Sequence, residues 1–389
     1  MITRRLFLRS SSLLALSSSV PLFMPRSMRA AGPDKDARVL VVVEMDGGND
    51  ALNTIIPHAD ENYAKLRPKL KLDPERVLKV TDSVGLHPAL RPLDKLLSIG
   101  NLAVMPGVGY PNPNRSHFES MAMWQTARFD AEELKGYGWL GRAMDPSSGN
   151  LLSVGAEVPT ALRGRRSTAM ALRPRIEEVL LSDPLAAQAG IGPESADDLL
   201  AFVQRQAVDA RFAAQKLAKL KDGKTITGYP RTELAERLKM VAKLLKADIG
   251  TRVFYTQQSG YDTHAQQRFR HANLLDEFAG AVSAFFADLK GAKLDERVML
   301  LSFSEFGRTI QENGSAGTDH GTAGACFVAG PTVKGGLVGS VPSLTDLDDG
   351  EPKMTTDFRS VYATLLGAWL GLPADDLGKD VSPLALFAS

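Results

Sequence analysis

A single cysteine, Cys326, in 389 residues rules out an internal disulfide and any cysteine-built metal cluster. A metal bound by this chain must therefore rest on oxygen and imidazole ligands. No run is long and apolar enough to cross a bilayer, apart from a short amino-terminal stretch. Charge of one sign is not in excess, with 46 Lys and Arg against 45 Asp and Glu. Without a basic stripe, a nucleic-acid partner is excluded. Internal repeats and low-complexity segments are also missing. What remains is an ordinary globular composition, 44% hydrophobic and 23% charged, with material for a sizeable core.

The first 31 residues read as an address. TRRLFLR at 3–9 resembles the twin-arginine export signal, followed by a weakly apolar, serine-rich stretch at 10–24 and small residues at Ala30 and Ala31 for cleavage. The segment holds five arginines and no acids, so residues 32–389 carry 41 basic against 45 acidic residues, a net charge of −4. The expectation is a periplasmic or secreted protein that meets the twin-arginine translocase during export and keeps no membrane span once mature.

From residue 38 the chain alternates apolar runs with helical patterns, which predicts an α/β fold with a mostly parallel central sheet flanked by helices. Val39 to Val43 are apolar without alternation, as in a strand buried on both faces, and the run breaks at Asp46, Gly47 and Gly48. Further strands are expected at 102–105, 251–257, 297–303 and 325–328, the last placing Cys326 in the core as a small hydrophobe. Between about 125 and 249 the strand signal thins to at most one or two strands near 150–162. Amphipathic helical patterns follow at 195–220 and 232–246, so this part is expected as a mainly helical insertion. His87, before a proline at a helix entry, reads as a structural hydrogen-bonder. His271, beside arginines in a helix expected over 264–289, reads as a surface residue.

The strand ends deliver polar groups that share one edge of an α/β sheet. They are Asp46, then Asp262 with His264, then Glu305, with Asp319 and His320 on a nearby loop. Each taken alone caps a helix or satisfies a loop. Carboxylates gathered at one edge call for a cation, and imidazole plus carboxylate without thiol suits zinc or manganese, with magnesium also open. Ser116 fits two readings, an N-cap paired with Glu119 or a nucleophile at a helix start. Arg115 and Arg308, together with Asn49, are the candidates to contact a small anionic ester.

LVVVEMDGGNDALN, NPNRSHFES, GYDTHAQQ, FSEFGRT and TDHGTAG together resemble the alkaline-phosphatase superfamily, which includes sulfatases and cofactor-independent phosphoglycerate mutases. Within it the chain is most similar to the exported family called domain of unknown function 1501. The resemblance implies one or two divalent ions: Asp46 on one, Asp262, His264 and His320 on the other, and Ser116 as nucleophile for phosphate or sulfate esters. Two departures stand out. The superfamily's aspartate and histidine four positions apart are here only two apart, and Glu305-Phe306 replaces an Asp-His pair, so one imidazole is missing. Asn49 and Asp50 are the nearby substitutes. The alternative is an exported binding or assembly protein that keeps the fold without turnover.

Overall fold

In a computed structural model of the chain, residues 37–147, 150–174 and 228–387 are described. The expected export segment and the helical pattern at 195–220 lie outside them. The main strands are β1 (Val39–Asp46), β2 (Leu102–Gly109), β3 (Asn150–Val154), β4 (Thr168–Leu172), β5 (Val253–Ser259), β6 (Val298–Phe303) and β7 (Gly324–Ala329). With the short edge strands Gly336–Leu337 and Thr356–Asp357 they make one nine-stranded sheet among the described residues. From one edge the order is Gly336–Leu337, β2, β7, β6, β1, β5, β3, β4, while Thr356–Asp357 pairs with β2. This is the α/β class expected from the sequence.

β1 lies in the interior of the sheet because both its faces are apolar. Val39, Val41, Val43 and Met45 join one buried cluster, Leu40 and Val42 the other, and all six are fully buried. The first face is covered by α2 (Glu233–Lys246) and α3 (Gln267–Gly291). On the second face lie α1 (His117–Thr126) and α4 (Phe358–Thr364), where Trp124 stacks on Phe303 of β6 at 4.8 Å. A strand buried on both faces has no polar side to show, which is why its sequence does not alternate.

Direction matters more for function. β5 and β6 both pair with β1 in parallel, so their carboxyl ends and that of β1 sit side by side. β7 is antiparallel to both β6 and β2, so β2 also ends at this edge and feeds the loop that leads into α1. In the region expected as a helical insertion, β3 and β4 extend the sheet beyond β5 in parallel, so part of it is sheet. α2 occupies the second of the two helical patterns.

Candidate metal centre

β1 stops at two glycines in left-handed conformation, Gly47 with φ 117° and Gly48 with φ 69°. A Cβ on Gly47 would lie 2.5 Å from the amide nitrogen of Asp262, and one on Gly48 would lie 2.4 Å from the Phe306 ring. Only glycine lets the three loops after β1, β5 and β6 close to this distance. The Asp-x-His spacing then becomes intelligible. α3 begins at Gln267, because Gln266 takes a left-handed φ of 47°. Residues 260–264 are non-helical, and side chains two apart on an extended chain point the same way.

Asp262 Oδ1 is the point of convergence. His264 Nε2 lies 3.0 Å from it, His320 Nε2 3.4 Å and His117 Nε2 3.5 Å. The two nitrogens His264 Nε2 and His320 Nε2 are 2.9 Å apart. Ligand atoms of His117, Asp262 and His320 all fall within 4.8 Å of one another, with His264 alongside.

The outer nitrogens decide what the inner ones can do. His320 Nδ1 is 2.8 Å from the Arg115 carbonyl, His264 Nδ1 2.9 Å from Asp319 Oδ1, and His117 Nδ1 2.7 Å from Glu305 Oε1. Each partner is an acceptor, so each Nδ1 carries the proton and each neutral ring turns an Nε2 lone pair inward. The tautomers are assigned here from these partners. His117 Nε2 is buried without a hydrogen-bond partner. Lone pairs facing each other at 2.9 Å repel unless a proton or a cation lies between them. Three imidazoles fixed from behind and one carboxylate fit a divalent metal ion, and three nitrogens favour zinc over magnesium.

Charges around the cluster agree. Burial pushes the Asp262 carboxyl up, but the hydrogen bond and charge of Arg308 outweigh it and hold the group at about 2. The bond to Glu305 raises His117, whereas burial lowers His320. An ion at His117 Nε2 competes with a proton for the same lone pair, which makes metal uptake pH-dependent. Asp46 is raised by burial and by Glu305 beside it.

Residues 37–375 match the family described as "Protein of unknown function (DUF1501)". The chain belongs to this family. No curated protein matches the sequence. Among solved structures, the C-terminal periplasmic domain of EcEptC from Escherichia coli, in complex with Zn, is similar at 10% identity with a TM-score of 0.44, covering 90% of this chain and 87% of that one. The lipoteichoic acid synthase LtaP from Listeria monocytogenes is similar at 9% identity with a TM-score of 0.37, covering 83% and 75%.

In this DUF1501 chain the residues singled out from sequence fall into two groups. Asp262, His264 and His320 come together, and Asp319 stands behind His264. Asp46 is half-buried at the end of β1 and takes a hydrogen bond from Ser259. Glu305 stands one step back from the cluster. Its Oε1 accepts from Gly47 N at 3.0 Å and from His117, and its Oε2 from Ser304 Oγ at 2.8 Å. It orients an imidazole where the sequence suggested a ligand. His117 is the residue that sequence reasoning missed. It supplies the imidazole that Glu305-Phe306 lacks, and the available signal was its place beside Ser116 at a helix entry.

Ser116 occupies the N-cap position of α1 but makes no side-chain cap bond, and Glu119 is engaged by Asn114 instead of closing a capping box. Arg115 lines a cavity of about 540 Å³ with Tyr110, Phe306, Asp349 and Lys353, and pairs with Asp349 at 3.2 Å. Asn49 and Arg308, read from sequence as substrate contacts, are turned inward. Asn49 is fully buried, with Oδ1 2.9 Å from His271 Nε2. The Arg308 side chain is fully buried and spends its donors on protein oxygens. Asp50, the other proposed substitute ligand, is sealed in an ion pair with Arg67 at 2.6 Å.

His271 is not a surface residue as its arginine neighbours suggested. It is 2% exposed, because the arginines flanking it in sequence point away from the face that packs on the β1 loop. His87 is the structural hydrogen-bonder expected, with Nδ1 accepting from Ala89 N at 3.0 Å. Burial lowers both, His87 to about 3 and His271 to about 4, from an ordinary 6.5. Both rings stay neutral in the folded protein while the unfolded chain protonates them below 6.5. Stability is therefore lost as pH falls from 6.5 toward 3. The expected NMR result is that these two imidazoles do not titrate between pH 7.5 and 5, while the urea midpoint declines. Titration of either near 6.5 would overturn the assignment.

Proposed function

We propose that this chain is an exported, metal-dependent hydrolase of phosphate or sulfate esters. The observation that carries the proposal is the set of three imidazoles, each fixed through Nδ1, whose Nε2 atoms meet Asp262. His117, Asp262 and His320 hold a divalent ion, zinc or manganese by ligand type, with His264 completing or reinforcing the set. Such an ion supplies Lewis-acid polarisation of an ester oxygen. Ser116 brings a hydroxyl that is not used as a cap, at the residue before His117. The Ser116 oxygen bonds to the phosphorus or sulfur as the bond to the ester's alcohol oxygen breaks. Asp46, with its raised carboxyl, takes the hydroxyl proton and returns it to the departing alkoxide. Water then cleaves the serine ester to release phosphate or sulfate. Arg115, at the wall of the 540 Å³ cavity, steers the anionic ester while the rest of the substrate fills that space.

One observation favours a second reading, an exported binding protein without turnover. If His264 joins the other three, four protein ligands close the ion's coordination, which is the arrangement of structural ions.

Ser116→Ala separates the readings. The hydrolase is expected to lose turnover of a generic aryl phosphate or aryl sulfate by at least about 100-fold, on the scale of losing a key transition-state group, while its melting temperature stays within error. Turnover that survives the substitution removes Ser116 from the reaction. No turnover in the zinc-loaded or manganese-loaded wild type leaves the binding protein.

A further inference from the structure

The edge of the sheet carries Asp46, Asp262 and Glu305, with Asp319 behind His264, and what already engages them bears on how many ions the centre holds. A second ion would need ligands of its own. Glu305 has both oxygens engaged, by Gly47 N and His117 Nδ1 on one side and Ser304 Oγ on the other. Asn49 Oδ1 faces His271 and Thr54, and Asp50 is locked onto Arg67. Asp46 is the one strand-end carboxylate left, and a lone carboxylate does not make a site.

The second positive charge is already built in. Arg308 Nε donates to Gly48 O at 2.7 Å, and Nη1 to Thr318 O at 3.1 Å. Nη2 serves Gly47 O, Tyr261 O at 3.2 Å and Asp262 Oδ1 at 2.6 Å. Five acceptors from three separate loops thus surround one positively charged guanidinium. Its side chain is fully shielded from solvent, so it cannot turn outward to a substrate without stranding the buried carbonyls of Gly47, Gly48, Tyr261 and Thr318.

We infer that this is a one-ion centre, in which the buried guanidinium of Arg308 stands permanently where a two-ion site would place its second cation. Arg308 already holds Asp262, and the region offers a second ion no ligand shell of its own. The inference rests on the metal reading above and sharpens it. Arg308 is a positioning residue that holds Asp262 toward the ion.

The test is metal stoichiometry of the full-length protein, stripped with chelator and reloaded with zinc, together with the electron paramagnetic resonance spectrum of the manganese-loaded form. One equivalent per chain is expected in the wild type, and still one in Asp46→Asn. The manganese spectrum is expected to be that of an isolated ion. A second equivalent that disappears in Asp46→Asn, or an exchange-coupled manganese pair, overturns the one-ion centre while sparing the metal reading. Zero equivalents in the wild type overturns both. Any additional zinc that survives Asp46→Asn, with an uncoupled manganese spectrum, lies elsewhere on the protein and leaves the inference standing.

Discussion

His320→Ala protein is expected to bind zinc at least about 100-fold more weakly than wild type, since even partners that only orient a ligand are worth about 10–100-fold. The loss reads out as stability. An ion at 100 times its Kd stabilises the folded state by about 2.7 kcal/mol, and the same concentration at a 100-fold weaker site gives about 0.4 kcal/mol. Wild type should therefore melt several degrees higher with zinc than without it, and the variant should hardly respond. His117→Ala is expected to behave in the same way, which matters because His117 was not among the ligands read from the sequence. Glu305→Gln should fall between the two, since it alters only what stands behind His117 Nδ1. An unchanged zinc response in His320→Ala and His117→Ala would remove the centre described here.

The second large effect lies under the centre. Asp50 and Arg67 form an ion pair in which both side chains are fully shielded. Arg67 Nη1 reaches both Asp50 oxygens and Asn53 Oδ1, Nε donates to Ile310 O at 3.0 Å, and Nη2 to Thr309 O at 2.6 Å. Gln267 at the start of α3 also donates to Asp50, and Thr318 donates to Gln267 at 2.6 Å. This network joins the loop after β1 to the segment after β6 that carries Arg308 and to the loop that carries His320. Arg67→Met leaves a buried carboxylate without its partner and should destabilise the protein by about 3–5 kcal/mol. Replacing both members, as Asp50→Leu with Arg67→Met, should recover part of that loss, because no buried charge is then stranded. Urea denaturation of the three variants decides the point. A loss under about 1 kcal/mol in Arg67→Met, the range of an exposed pair, would show that the pair is not sealed as described.

The strand-end logic read from the sequence carries over to the structure because it depends on topology alone. β5, β1 and β6 are parallel neighbours, and whatever follows their carboxyl ends must meet at one edge. That is how Asp262, His264 and His320 could be grouped across nearly sixty positions. Which way each polar side chain turns at that edge is a different matter. Asp46, Asn49 and Asp50 lie within five residues, yet one is half-open and two are sealed. Their fate is set by Arg67, His271 and Ser304, which approach from distant parts of the chain and leave no local trace. Arg308 is similar. An arginine after a strand looks like a substrate contact until the carbonyls of Gly47, Gly48, Tyr261 and Thr318 are seen around it. His117 escaped notice for the opposite reason, because beside Ser116 and Glu119 it passed for a spacer in a helix cap.

The segment Arg115–Ser116–His117 is held to the centre at both ends. The carbonyl of Arg115 receives the proton of His320 Nδ1, and the ring of His117 lies among the ligands two residues later. Ser116 is the link of a buckle whose two prongs are the carbonyl and the imidazole. A shift of either imidazole is passed to the backbone on its own side of the serine, so the position of Ser116 follows the geometry of the two rings.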